Sequence, residues 1–192
     1  MAAHSDQVLP PIPDRGGSRV VLAFPEPEDE GEFLALNRLS RIFHQPFVTA
    51  PTTGEQFRRL VSLSRQPHFV GLLARRRSDG AILGSLELSQ ISRGTFQSAY
   101  LGYQIGVPFA RQGYMTEALR LVLDYAFRRL KLHRVEANIQ PENRPSIALA
   151  RRLRFRREGY SPRYLRISGR WRDHIRFAIL AEEWRRVPRR GA

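Results

Sequence analysis

Between Tyr100 and Leu119 the chain changes its hydrophobic period, and that change restricts the folds open to it. Residues 97–107 have the pattern of a strand that ends at Val107. After Gly113, the residues Ala118, Leu119, Val122, Leu123, Ala126, Phe127 and Leu130 fall on one face of a helix predicted over 116–130. Only a short loop joins the two. With a further strand predicted at 133–139, the unit becomes a βαβ crossover, which commits the chain to a sheet containing parallel strands.

The segments before the crossover predict antiparallel pairing. A first strand is expected at Arg19–Phe24, then an acidic turn, then a helix at Glu32–Phe43 with Phe33, Leu34, Leu36, Leu39, Ile42 and Phe43 at helical spacing. A second helix is expected at Thr53–Ser64, capped by Thr52 or Thr53 with Glu55 in its first turn. Strands at His68–Arg75 and Ile82–Ile91 flank Asp79-Gly80, a strong hairpin signal. After the crossover come a helix at Pro145–Leu153 and a hairpin of Arg154–Tyr164 with Arg170–Ile179. The order predicts one α/β (α+β) domain with a mixed, mostly antiparallel sheet. Its expected bounds are 18–186, between a flexible N-terminal tail at 1–17, rich in Pro and Gly, and a basic C-terminal tail at 187–192.

Composition narrows the function classes. The 192 residues suit a single core, and no apolar run approaches the roughly 20 residues of a membrane span. The N-terminus lacks a cationic start and an apolar core, so no secretory signal is expected and the cytoplasm is the expected compartment. There is no cysteine, which excludes disulfides, thiolate metal sites and a thiol nucleophile. The net charge is +14, with a single lysine, Lys131. From Ala150 onward fourteen arginines face four carboxylates. Such a surface attracts phosphates, acidic proteins or RNA, or is simply a solvated arginine face.

The join at Gly113 carries the chemistry. The first N–H groups of a helix have no intrahelical partner, and the helix dipole favours negative charge beside them. Gly113 lets the backbone approach a ligand, while Arg111 and Gln112 add a cation and an amide at the rim. The result is a cradle for a diphosphate. It is not a P-loop, because no Gly-Lys-Ser/Thr follows, and it lacks the three spaced glycines of a dinucleotide fingerprint.

The run Ala110-Arg-Gln-Gly-Tyr-Met-Thr-Glu-Ala-Leu119 resembles the pyrophosphate loop of GNAT acetyltransferases, in particular the Gly-x-Met-x-Glu-Ala-Leu of their RimJ/RimL branch. Ala110 and Met115 depart from the wider family's Gln/Arg-x-x-Gly-x-Gly/Ala. Asn143-Arg-Pro-Ser146 resembles the Asn-x-x-Ser helix start of these enzymes, and Arg156–Tyr160, Gly169–His174 and Asn37-Arg38 fit the RimJ-type pattern. The likeness is co-linear over residues 19 to 184. It implies a single GNAT-fold domain with helices on both faces of a twisted sheet and its fourth and fifth strands, 97–107 and 133–139, splayed apart. It also implies acetyl-CoA as acyl donor, no metal, and direct attack by an amine in a ternary complex. The implied acceptor is the N-terminal amine of a protein, a ribosomal protein among the candidates, for a monomer or homodimer; by its charge, the basic C-terminal region is the candidate surface for ribosome or RNA. A GNAT acting on a small amine, and a non-catalytic RNA-binding protein of this fold, are the alternatives.

The resemblance also distributes roles. Gln104, Ile105, Gly106 and Val107 would pair through their backbone with the pantetheine, and an N–H near Ile105 or Val107 would face the oxyanion. Arg111, Gln112, Gly113, Tyr114, Met115 and Thr116 would hold the diphosphate. Asn143 would bond the cofactor near the thioester or cap its helix. Ser146 is the candidate acid for the departing thiolate, because the tyrosine that many GNATs place one turn later is Ala150 here. Glu87 is the candidate base or an exposed strand carboxylate, with His133 and His174 as weaker titratable candidates. Asn37, Arg38, Phe43 and Phe47 would wall the acceptor site.

Overall fold

Alternation of apolar side chains along the strands divides the interior into two hydrophobic clusters. Leu72 and Leu73 are neighbours on one strand, yet they belong to different clusters because successive side chains point to opposite faces. The computed structural model describes residues 9–12, 16–45 and 47–186.

The elements run β1 (Val20–Ala23), α1 (Glu30–Leu39), α2 (Arg41–His44), α3 (Gly54–Leu63), β2 (Arg65–Gln66), β3 (Phe69–Arg76), β4 (Ile82–Ser92), β5 (Ser98–Ile105), α4 (Tyr114–Asp124), β6 (Arg134–Ile139), α5 (Arg144–Arg152), β7 (Arg156–Ile167), β8 (Arg170–Leu180) and α6 (Ala181–Arg185). The sheet order is β1-β3-β4-β5-β6-β8-β7, with the short β2 beside β3. All pairs are antiparallel except β5 with β6. α4 contributes Leu119 and Val122 to the larger cluster, and α5 contributes Ala150, with Leu153 at its C-terminal cap. Phe33 and Leu34 of α1 and Phe57 of α3 form the smaller one with Leu73 and Ile82. Helices therefore cover both faces, and the expected mixed, mostly antiparallel sheet is present.

The parallel pair decides where a site can be. β5 and β6 are paired only over Ser98–Tyr100 with Arg134–Glu136. Beyond Tyr100 the strands separate, while β6 continues its pairing with β8 to Ile139. This is the expected splay, and it leaves the second half of β5 with an open edge.

Several elements differ from the sequence reading. The predicted 116–130 helix is α from Tyr114 to Asp124 and then widens into a π turn over Tyr125–Arg129. The predicted Glu32–Phe43 helix breaks at Ser40 into α1 and α2. Thr53 caps α3 in a reciprocal box with Gln56. Part of the expected flexible tail is anchored: Leu9 and Ile12 pack against the larger cluster, and the Tyr125 hydroxyl donates to the Pro10 carbonyl at 3.0 Å. The expected basic tail at 187–192 lies outside the described residues.

Candidate active site

Two cavities open where β5 and β6 part. One, of about 450 Å³, runs along β5 to the N-terminus of α4. The other, of about 410 Å³, lies among β4, β5, β6 and the loop after α2. Phe47, Val48, Tyr103, Gln104, Asn143 and Ser146 line both, so the cavities meet at these residues.

The first cavity ends in a loop whose amides are uncommitted. The Ala110 N–H donates to the Val107 carbonyl at 3.3 Å. The N–H groups of Thr116 and Glu117 donate to the Gly113 carbonyl at 3.0 and 3.2 Å. Between them, the N–H groups of Arg111, Gln112, Gly113, Tyr114 and Met115 have no protein acceptor among the described residues. Gly113 has φ +87° and Arg111 φ +62°, so the loop turns through left-handed geometry twice, the kind of backbone that forms an anion-binding concavity. Arg111 holds that conformation without a glycine's freedom.

Arg111, Gly113, Met115 and Thr116 line this cavity. The side chains of Gln112 and Tyr114 do not. The Gln112 amide donates to the Pro108 carbonyl at 2.8 Å, and the Tyr114 ring is buried edge-on against Phe109. Any contribution from these two residues passes through their main chain.

The end of β5 is partly committed. The Gly106 N–H donates to the Leu83 carbonyl at 2.8 Å and the Val107 N–H to Ser40 Oγ at 2.9 Å. Because an antiparallel ladder alternates, Tyr103 and Ile105 direct their backbone groups away from β4 and toward the splay. His44 supports this: its Nε2 contacts the Ile105 carbonyl at 2.9 Å, and a carbonyl only accepts, so this nitrogen carries the hydrogen. Of the two N–H groups expected at the oxyanion, that of Val107 is thereby committed to Ser40. Tyr103 keeps its edge free, and Ile105 keeps its N–H. The Gln104 side chain is 8% exposed and donates to Ser85 Oγ at 3.1 Å.

In the second cavity Glu87 stands between two glycines across the sheet, Gly71 and Gly102. A Cβ on Gly102 would come within 2.8 Å of the Glu87 carboxylate, so only glycine leaves room for that side chain. The carboxylate is reached by solvent but enclosed by a concave wall. That enclosure raises its pKa above the ordinary carboxylate value.

Ser146 lies in the first turn of α5, where its N–H donates to Asn143 Oδ1 at 3.2 Å. Asn143 therefore caps the helix with its oxygen and still lines both cavities. Tyr103, which sequence reasoning overlooked, reaches the same place from β5: its hydroxyl donates to the Ser146 carbonyl at 3.4 Å. Burial pushes its pKa up to about 12, so it stays protonated at working pH. Nothing in a period-2 pattern separates this tyrosine from any other half-buried strand residue.

Phe47 lines both cavities and Phe43 the first. Asn37 and Arg38, expected at the acceptor wall, line neither of these two cavities. Asn37 is 3% exposed and donates to the Pro51 carbonyl at 2.8 Å. Arg38 donates to the Thr52 carbonyl at 3.0 and 3.1 Å. Both brace the loop that carries Phe47 to Pro51. His174 is 2% exposed and lines the second cavity. Its Nδ1 donates to the Arg172 carbonyl at 3.0 Å, and burial lowers its pKa, so the ring is neutral with Nε2 unprotonated. His133 lies away from both cavities, 3.7 Å from Glu182. Among the described residues no helix is long and apolar enough to cross a membrane.

The ribosomal protein uS5-alanine N-acetyltransferase of Escherichia coli is 42% identical over 103 residues, covering 54% of this chain and 53% of its own length. The chain spans little more than half the length of the curated relatives it matches. Mycobacterium smegmatis RimJ, solved in complex with CoA-disulfide, superposes with a TM-score of 0.79 at 29% identity, over 85% of this chain and 83% of that one. Spermidine N-acetyltransferase of Vibrio cholerae, solved with CoA and spermine, gives 0.74 at 22% identity over 86% and 98%, a likeness of fold alone. The family described as "Acetyltransferase (GNAT) domain" matches residues 19–156, which hold the splayed strands, the uncommitted amides and the Asn143 cap, and the chain belongs to that family.

Proposed function

We propose that this chain transfers the acetyl group of acetyl-CoA to a primary amine, and that the amine is the N-terminus of a protein, with ribosomal proteins as the first candidates. The observation that carries this reading is the run of five uncommitted amides, 111–115, at the far end of a cavity whose near end meets a second cavity at Tyr103 and Ser146. A diphosphate fits the amides and Arg111, and the free edge of β5 at Tyr103 and the Ile105 N–H fit an extended amide-bearing arm. Bound acetyl-CoA would supply an acetyl group already activated as a thioester.

The protein's own residues would do the rest. In the second cavity, Glu87 Oε would accept a proton from the incoming ammonium, directly or through water. The Ile105 N–H points to the splay, where negative charge on an acyl oxygen would be stabilised. Ser146 Oγ and the Tyr103 hydroxyl stand at the junction as proton donors to a departing sulfur, and Tyr103 keeps its proton over the whole working range. The enclosing loop and the β7–β8 hairpin, tied together by Thr49 Oγ1 and Ser168 Oγ at 3.1 Å, would limit access of bulk water.

The name of the E. coli relative, which gives a ribosomal protein as what it acetylates, supports a protein acceptor. The lining supports it as well. Arg166 and Glu87 line the same cavity, and a cation in it disfavours polyamines. The test is thiol release from acetyl-CoA against peptides with free N-termini and against spermidine and aminoglycosides. Turnover on an N-terminal peptide, abolished by blocking its α-amine, is the expected result. Turnover confined to small polycations would replace the acceptor assignment.

A further inference from the structure

Glu117 lies in the first turn of α4, next to amides read above as a diphosphate site, where an uncompensated carboxylate would oppose an anionic ligand. Its carboxylate is not uncompensated. Arg19, which immediately precedes β1, donates to it through the backbone N–H at 2.9 Å, through Nε at 2.8 Å and through Nη2 at 2.5 Å. The Ser18 hydroxyl adds a contact at 3.3 Å.

The same guanidinium reaches into the loop itself. Arg19 Nη2 donates to the Gln112 carbonyl at 3.0 Å, and its plane lies over the Tyr114 ring, 4.7 Å from the centroid. It also sits where a side chain on Gly113 would begin, 3.2 Å from that Cβ position. One planar group therefore holds the carbonyl at residue 112, the ring at 114 and the carboxylate at 117. A guanidinium can do this because its donors form a rigid fork, whereas a lysine ammonium offers a single point of charge.

We infer that Arg19 is a positioning residue for the anion loop: it neutralises Glu117 and ties down the Gln112 carbonyl, so that the loop presents N–H groups and no competing negative charge. Arg19 does not line the cavity and has no role in the chemistry at the acyl group. The inference rests on the reading of residues 111–115 as the diphosphate site.

Calorimetry with two probes separates that reading from the inference. CoA carries the diphosphate and pantetheine does not. Wild-type protein should bind CoA far more tightly than pantetheine; equal affinities would overturn the diphosphate reading itself. Given that preference, Arg19→Gln should weaken CoA binding about tenfold and leave pantetheine binding unchanged, because one charge-assisted contact set near an anion is worth that order. Arg19→Lys keeps the charge beside Glu117 but loses the fork that also reaches the Gln112 carbonyl, so its CoA affinity should fall between those of wild type and Arg19→Gln. Equal loss for both probes in Arg19→Gln would mark a general packing role and overturn the inference. So would unaltered CoA affinity, or an Arg19→Lys protein as weak as Arg19→Gln.

Discussion

Replacing Gly113 tests the site at its most constrained point. The residue has φ +87°, and any L-residue there costs about 1–2 kcal/mol. Gly113→Ala adds only a methyl group, 3.2 Å from Arg19 Nη2, the end of a long side chain that can shift. If the loop relaxes to escape the strain, ligand binding must restore the original geometry, and CoA affinity should fall by roughly 5–30-fold. Gly113→Glu adds a carboxylate beside the diphosphate. At about 5 Å and an effective dielectric near 20, each pair of unit charges repels by about 3 kcal/mol. Together with the strain, the loss should exceed about a hundredfold. Titration calorimetry with CoA gives the affinities, and thermal melting shows that the variants remain folded. Folded Gly113→Ala and Gly113→Glu proteins that bind CoA within twofold of wild type would refute the argument, because no diphosphate could then rest on these amides.

Other residues give independent checks. Glu87→Gln should lower turnover by about a hundredfold or more and remove the ascending limb of the pH–rate profile. Because enclosure raises the Glu87 pKa in the native state, ionisation of this group opposes folding above the ordinary carboxylate range. Glu87→Gln should therefore raise the melting temperature at pH 7 and leave it unchanged near pH 4, read by calorimetric scans at both. Ser146→Ala and Tyr103→Phe should each lower kcat with little change in the KM for acetyl-CoA. The larger drop, on the order of tenfold to a thousandfold, identifies the acid. Asn143→Ala removes the α5 cap at a cost of about 1 kcal/mol, or roughly 2–4 °C in melting temperature. Asn143→Ser, which can still cap, should recover most of it.

The βα join was legible from the residues because its signals are local: a period of two ending at Val107, a glycine, and a period of 3.6 resuming within a few positions. The Thr53 cap and the Asp79-Gly80 hairpin are legible for the same reason. Each depends on neighbours three or four residues away, whose geometry the backbone dictates. The Ser40 break was not legible, because the helical pattern of α1 and α2 runs straight through it. Ser40 Oγ accepts the Val107 N–H, a bond formed 67 residues away.

The same division runs through the site. Residue types and spacing pointed to Gly113 and Glu87, and the family resemblance pointed to Asn143 and Ser146. Folding decided which backbone groups remain available. It committed Val107 to Ser40, left Ile105 facing the splay, turned Asn37 and Arg38 into braces, and brought Tyr103 to Ser146. It also joined Arg19 to Glu117 across 98 positions of sequence. Local periodicity therefore specified the elements and the loop. Availability, enclosure and charge compensation depend on what each group meets through space, and only the folded chain decides that.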